Sequence, residues 1–415
     1  MNKNNYFDYA ATTPVDKRVL AEMLPYFSQE FGNPSSVHSF GQKAQAAVDI
    51  SRKKIADLFG VDFSGVVFTA SATQANNLII RGVVKATPRT TRKVPHIITS
   101  MIEHESVLET CRDLERCKQA EVTYLAVGSD GLIDLEQLKN SLKKETVLVS
   151  LMYVNNETGI IQPIQEIAEI VKEYRQAKLE PHNQARFSIQ DLQYPFFHSD
   201  GAQAVNYVSP IKLDKLGVDS LTISSHKVYG PKGIAALVSN TPYTKYNLLS
   251  PTITGGGQEF GLFSGTENVA GIVGFGQALE ISLKEKPQEQ KRLLALKQKL
   301  TGGIMEKFPA AVFNPSTEFR TSGAESQVGN ILNISFPGAD KEELVYAFDK
   351  LGIAVSAGSA CQAKALQDSH VLIAMGLDER VRSSAIRISL GRFTTRAEID
   401  GLLLSLPDIL ALAGL

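Results

Sequence analysis

Tryptophan is absent from this 415-residue chain, and cysteine occurs only three times, at Cys111, Cys117 and Cys361. The three thiols form no CxxC pair and no closely spaced framework, which excludes a disulfide-stapled fold and a cysteine-based zinc module. The histidines and cysteines together lack metal-ligand spacing, so no metal is expected. This usage fits a reducing, cytoplasmic setting. No apolar run is long enough to span a bilayer, and Met1–Tyr6 lacks the apolar core of a secretory leader, so no membrane role is expected. Charge of either sign is not in excess: 43 Lys and Arg stand against 44 Asp and Glu. Overall electrostatics therefore give no support for direct nucleic-acid binding. The most basic stretch, Lys85 to Lys93, contains Pro88 and several threonines and reads as a solvated connection. Repeats and low-complexity segments are also missing.

What is present is an ordinary globular composition, 43% hydrophobic and 21% charged, on a chain long enough for two structural units. Apolar, β-branched runs recur at Val66–Thr69, Ile97–Thr99, Val122–Leu125, Val147–Leu151, Phe196–His198, Ser220–Ile223 and Ile234–Leu237. Between several of them lie stretches with apolar residues at helical spacing, such as Val48–Phe59, Val107–Leu114 and Ile164–Tyr174. This alternation predicts an α/β fold with a mostly parallel sheet covered by helices, whose ligands sit at the carboxyl ends of the strands. Gly255-Gly256-Gly257 marks a break. Beyond it a long helical stretch (about Val269 to Phe308), strands near Ile331–Phe336 and Ile353–Val355, and a helix at Lys341–Leu351 predict a smaller α+β unit. We expect residues 15–260 to form the large domain, and residues 1–14 with 261–415 the small one. Ala177 to Tyr194 has no clean period and reads as a polar surface excursion.

Three residues stand just after candidate strands: His104, Asp200 and Lys227. Each alone has an ordinary reading, as a helix cap or a surface side chain. Together they match the needs of pyridoxal phosphate, which are a lysine for its aldehyde, a carboxylate for its ring nitrogen and a flat partner for its ring face. Its phosphate needs backbone N–H donors at a helix N-terminus, and Ala72-Thr73, opening a helix after the strand ending at Thr69, can supply them. Cys361 lies among small and polar neighbours, Ser356 to Ala360 and Gln362 to Lys364, which suits an accessible loop thiol and not a core one. Cys111 and Cys117 fall on a helix pattern and read as core or surface thiols.

The chain resembles the NifS-like cysteine desulfurases, which are pyridoxal-phosphate enzymes of the class V aminotransferase fold. The resemblance runs almost end to end. It is carried by Tyr6 to Pro14, Gly32 to Ser36, Glu103-His104, Val154 to Gly159, Asp200 to Gln203, Ser225-His226-Lys227, Gly255 to Glu259, Ser264 to Asn268, Gly358 to Cys361 and Arg387 to Gly391. It implies a PLP-dependent transferase of fold type I. It further implies that Lys227 bonds the cofactor aldehyde, Asp200 pairs the ring nitrogen, Gln203 and Asn156 bond near the ring hydroxyl, and His104 stacks on the ring. Ala72, Thr73, Ser224 and His226 would hold the phosphate, with Thr266 from the other subunit of a homodimer. Asn33 and Arg387 would bind the carboxylate of L-cysteine, and Cys361 would take its sulfur as a persulfide. The products would be alanine and a sulfur passed to an acceptor protein, in iron–sulfur cluster assembly or a thiolation pathway.

The chain also departs from the family. Phe263 and Phe260 stand where arginine is usual or frequent, and Gln74 stands where an acid is common. Three other readings compete. A selenocysteine lyase, or another pyridoxal-phosphate lyase or aminotransferase, would share the cofactor residues, although plain transamination has no need of Cys361. A catalytically silent scaffold is opposed by the complete set of reactive residues. A dinucleotide site at Gly271, Gly274 and Gly276 is opposed by the wrong spacing and by their place inside a helical pattern.

Overall fold

The computed structural model describes residues 5–87, 94–179, 194–240, 249–316, 326–358 and 368–415. A two-residue strand, β1 (Asn5–Tyr6), precedes the strands of the central sheet. These are β2 (Val66–Thr69), β3 (His96–Ser100), β4 (Glu121–Leu125), β5 (Thr146–Ser150), β6 (Phe196–Asp200), β7 (Ser220–Ser224) and β8 (Ala235–Ser239). They lie in the order β2–β8–β7–β6–β5–β3–β4. Pairing is parallel from β7 through β6, β5 and β3 to β4, while β8 runs antiparallel to both β2 and β7. Only residues 225–234 separate β7 from β8, too few for a parallel crossover, so the chain turns back on itself.

Every residue of β5, β6 and β7 is buried, because helices cover both faces. Two histidines lace this sheet from within. His198 in β6 bonds Ser150 Oγ through Nδ1 and Thr222 Oγ1 through Nε2, each at 2.9 Å, joining β5, β6 and β7. His96 in β3 does the same to Thr146 Oγ1 and Thr123 Oγ1, joining β5, β3 and β4. Burial pushes both imidazoles down to about 4, so they are neutral crosslinks at ordinary pH.

The expected helices are present as Ser39–Phe59, Glu105–Arg116, Ile164–Leu179 and Val269–Lys307. The third runs further than its period suggested, and most of the expected polar excursion, residues 180–193, lies outside the described residues. So do residues 88–93 of the basic stretch. Gly274 and Gly276 are packing glycines: a Cβ at Gly274 would meet Met23 Sδ at 2.6 Å, and one at Gly276 would meet Ser51 Cβ at 3.4 Å. They let the long helix lie close against the helices Lys17–Met23 and Ser39–Phe59, which disposes of the dinucleotide reading.

The C-terminal part adds β9 (Val312–Phe313), β10 (Ile331–Ser335), β11 (Ile353–Ala354) and β12 (Ala385–Ser389). The order β12–β10–β9 forms an antiparallel sheet, and β11 pairs in parallel with β1. Asp8 continues the N-terminal strand with a bridge to Ser389. The chain start is thus stitched to the C-terminal unit before it passes beneath the carboxyl ends of β6 and β7. One apolar cluster runs from Phe7 and Phe59 through Phe275 and Ile304 to Ile331 and Leu402. Among the described residues no helix is long and apolar enough to cross a membrane.

Candidate active site

A cavity of about 360 Å³ opens at the carboxyl ends of β5, β6 and β7. Ten of the residues expected from the sequence line it: Ala72, Thr73, His104, Asn156, Asp200, Gln203, Ser224, His226, Lys227 and Arg387. Ala72 and Thr73 begin the 15-residue helix Ala72–Ala86, whose N-cap, Ser71, accepts the Gln74 N–H on its Oγ at 3.2 Å. The amides of Ala72 and Thr73 belong to the first turn and have no intrahelical acceptor, so they offer an anion site. Gln74 turns back to accept the Ala70 N–H on Oε1 at 2.9 Å.

The cavity floor is the segment Asp8–Thr13, whose role sequence reasoning did not isolate. Ala10 O accepts from Gln203 Nε2 at 2.7 Å and also from Lys227 Nζ. Ala11 O accepts from Lys227 Nζ at 2.8 Å. Thr12 Oγ1 meets His226 Nδ1 at 3.1 Å, and Thr13 donates to the His226 carbonyl through both N–H and Oγ1 at 2.9 Å. Six contacts from four consecutive residues, Ala10 to Thr13, thus fix the lysine, its preceding histidine and Gln203 from below. Burial first, then the charge of Arg387, push the Lys227 amine down to about 7, while Asp8 and Asp200 pull it upward. Burial pushes His226 down to about 4, helped by the positive charges of Lys227 and Lys232.

Asp200 ends β6, and both of its carboxyl oxygens are held. Oδ1 accepts the Ala202 N–H at 2.9 Å, and Oδ2 accepts Asn76 Nδ2 at 2.7 Å. Asn76 also reaches Ser106 Oγ at 2.8 Å. It is fully buried on the apolar face of its helix, beside Ala75, Ile79 and Ile80. That misplaced amide at helical spacing was the one available signal for a residue the sequence reading missed. His104 is both the helix cap and a cavity residue. Its Nδ1 accepts the Ser106 N–H at 3.1 Å, which leaves Nε2 to carry the ring proton, and burial holds the ring below the usual histidine range. Next to it, Glu103 is fully buried, and burial pushes its carboxyl up to about 8. Oε1 accepts Ser100 Oγ at 2.6 Å and the Met152 N–H at 2.9 Å, while Oε2 has no partner among the described residues.

Arg387, in β12, is 1% exposed. Its Nη2 donates to Asp8 Oδ1 and its Nη1 to Asn156 O, each at 2.8 Å, and its buried Nε–H has no partner. A planar donor fork lining the cavity suits a carboxylate ligand. Two expected residues, Asn33 and Thr266, are not part of this constellation. Asn33 is exposed in the turn before the Ser39–Phe59 helix, accepting the Ser35 N–H on Oδ1 at 2.9 Å. Thr266 lines a separate hollow of about 100 Å³ with Phe263 and Ile272. Cys361 lies outside the described residues. Of the other thiols, Cys111 is buried and pushed up to about 12 by that burial, and Cys117 is exposed.

The departures at Phe260 and Phe263 are accommodated by packing. Arg52 forms a buried, two-pronged ion pair with Glu259, at 2.6 and 2.7 Å, and its guanidinium lies 5.0 Å from the Phe260 ring and 4.7 Å from that of Phe68. Phe263 packs against the apolar cluster of Val67, Leu249 and Leu262.

The class V aminotransferase family model matches residues 5–180 and 188–402. This chain belongs to that family. A relative named cysteine desulfurase IscS, from Pasteurella multocida (strain Pm70), is 45% identical over 399 residues, covering 95% of this chain and 90% of its own length. A solved NifS-like protein superposes with a TM-score of 0.84 at 36% identity, over 98% of this chain and 99% of that one. The structure titled SspA in complex with cysteine gives 0.76 at 35% identity, over 94% and 100%. Class V aminotransferases work with pyridoxal phosphate, and the cavity fits that group. The held carboxylate of Asp200, the buried amine of Lys227, the flat ring of His104 and the open helix N-terminus at Ala72-Thr73 all face one space.

Proposed function

We propose that the chain is a pyridoxal-phosphate-dependent cysteine desulfurase that converts L-cysteine to L-alanine and collects the sulfur on Cys361. The observation that carries this reading is the root of the Cys361 segment. Ser356 exchanges two main-chain hydrogen bonds with Arg387, so the sequence leading to the thiol departs from the edge of the cavity. A plain aminotransferase has no use for Cys361.

Each side chain then has a task. The amides of Ala72 and Thr73, with Ser224 and His226, would hold the phosphate, and Asp200 would keep the ring nitrogen protonated. His104 would offer its flat ring to the cofactor, and Gln203 and Asn156 would bond the ring hydroxyl. Bound there, the cofactor supplies an electron sink that labilises bonds at the substrate's α- and β-carbons. Arg387 grips the substrate carboxylate. Lys227, with its amine near 7, takes up and releases a proton at Nζ at neutral pH. The Cys361 thiolate attacks the substrate sulfur, the S–S bond forms as the C–S bond breaks, and the β-carbon gains a proton. Thiol and cysteine enter; persulfide and alanine leave. Atoms and electrons balance without an added oxidant. The persulfide then passes to an acceptor protein of iron–sulfur cluster assembly or thiolation.

The active unit is a homodimer, in which Thr266 of the partner subunit completes the phosphate site. In support, Leu24, Phe27, Phe31, Val37 and Phe40 expose half or more of their surface within 17 residues around Asn33, an apolar concentration that a second copy would cover. The need for a free Cys361 thiol favours the reducing cytoplasm. Alanine and sulfide measured after addition of L-cysteine to the holoenzyme, with an excess of a dithiol reductant that is oxidised to its disulfide as it frees the persulfide sulfur as sulfide, test the proposal. Equimolar products are expected, and pyruvate or a keto acid without sulfide would overturn it.

A further inference from the structure

The four-residue turn Asn155–Thr158 belongs to the central sheet's side of the molecule, yet it spends its polar groups on the C-terminal unit. Asn156 O accepts from Arg387 Nη1 at 2.8 Å, Glu157 O from Asn333 Nδ2 at 3.3 Å, and Thr158 O from Gln327 Nε2 at 3.3 Å. The turn itself is rigid, because Asn155 Oδ1 accepts the N–H of both Glu157 and Thr158 at 3.0 and 2.9 Å, and Asn155 Nδ2 donates to Ile102 O at 3.0 Å.

From this platform the Glu157 side chain, 1% exposed, meets two residues that are distant from it in sequence. Ser369 Oγ donates to Glu157 Oε2 and accepts the Leu372 N–H at 3.2 Å, which caps the helix His370–Ala374. Gly358, at φ +100°, lies against the same carboxyl group. A Cβ there would stand 3.3 Å from Glu157 Oε2 and 3.9 Å from Ser369 Cβ, and Ser356 Oγ bonds the Gly358 carbonyl at 3.1 Å. Gly358 and Ser369 therefore converge on one buried carboxylate, and the chain between them contains Cys361. None of the cofactor or substrate tasks assigned above uses Glu157.

We propose that Glu157 is a positioning residue for sulfur transfer: by seating Gly358 and Ser369 on one carboxyl group, it fixes both ends of the Cys361 segment relative to Arg387 and the cavity. This role rests on the desulfurase reading. Among the described residues the buried Glu157 carboxyl meets a hydroxyl donor and a close glycine, contacts that set position, so its loss should slow the step that needs Cys361 and spare carboxylate binding.

The test uses the full-length holoenzyme with Glu157→Ala, Glu157→Gln and Ser369→Ala. Trypsin cleavage after Lys364 reports the hold on the segment without reference to activity. In Glu157→Ala it should be faster by about fivefold, with cleavage elsewhere unchanged. Persulfide formation on Cys361 in a single turnover should slow by about tenfold or more, with cofactor absorption kept and the KM for cysteine within about twofold. Glu157→Gln, which can still accept from Ser369, should restore both readouts towards the parent. Parent-like persulfide formation and cleavage in Glu157→Ala would overturn the proposal, as would a Gln variant no better than Ala. If Glu157→Ala fails to fold, Ser369→Ala, at the less buried end, should show the same two changes, and its silence would overturn the role. Should the parent itself form no persulfide, the desulfurase reading fails, while the cleavage comparison still decides whether Glu157 holds the segment.

Discussion

Ser356 and Arg387 exchange main-chain hydrogen bonds, with the Arg387 N–H donating to Ser356 O at 2.6 Å and the Ser356 N–H donating to Arg387 O at 3.2 Å. The residue whose guanidinium lines the cavity is also the one from which the sequence toward Cys361 departs. Five residue pairs lock β12 to β10, so the position of Arg387, and of Ser356 bonded to it, is set by strand register. A slip of one residue would turn Arg387 to the opposite face.

Arg387→Lys tests the carboxylate grip. Lysine offers a point charge in place of a fork and abandons the contacts to Asp8 Oδ1 and Asn156 O. The KM for L-cysteine should rise about 10- to 100-fold, about 1.4 to 2.7 kcal/mol, while the absorption of bound cofactor persists. Steady-state kinetics with a parallel spectrum checks both.

Lys227→Ala should leave a protein that binds pyridoxal phosphate without covalent attachment. Borohydride treatment followed by intact mass measurement should fix the cofactor to the parent chain and not to the variant, and alanine production should fall by at least about a thousandfold.

Stability should decline on both sides of neutrality, for two different reasons. His198 has a folded-state value near 4 against 6.5 for the free group, so its contribution is complete above 6.5 and is lost as pH falls toward 4. Glu103 is raised from 4.5 to about 8, so its contribution is complete below 4.5 and is lost as pH rises through 8. Urea midpoints across this range should show the alkaline loss in the parent and a flatter limb in Glu103→Gln. An unchanged slope would refute a protonated Glu103.

Arg52→Ala should strand Glu259 as a buried, unpaired carboxylate and cost about 3–5 kcal/mol in denaturant unfolding. Phe260→Ala, which removes one partly exposed face from the same guanidinium, should cost only about 1 kcal/mol.

The strands were legible because β5, β6 and β7 are buried along their whole length and must be apolar or internally bonded. Asp200, Lys227, His104 and the Ala72-Thr73 helix start were legible because each ends or follows a strand, where such sheets place ligands. The antiparallel sense of β8 was not, since it follows from the shortness of a loop and not from the apolar pattern. Nor was the floor at Asp8–Thr13, which acts chiefly through the carbonyls of two alanines and two threonine hydroxyls. Main-chain acceptors leave no mark in side-chain chemistry. Asn76 and Glu157 acquire their roles only when helix and turn are packed against residues more than 100 positions away.

The central claim, that Cys361 receives the sulfur, is tested most directly by the mass of the chain after one turnover with L-cysteine. The account predicts one added sulfur atom on the peptide containing Cys361, one equivalent of alanine, and neither product in Cys361→Ser. Full alanine formation in Cys361→Ser, or the added sulfur found on Cys111 or Cys117, would contradict it.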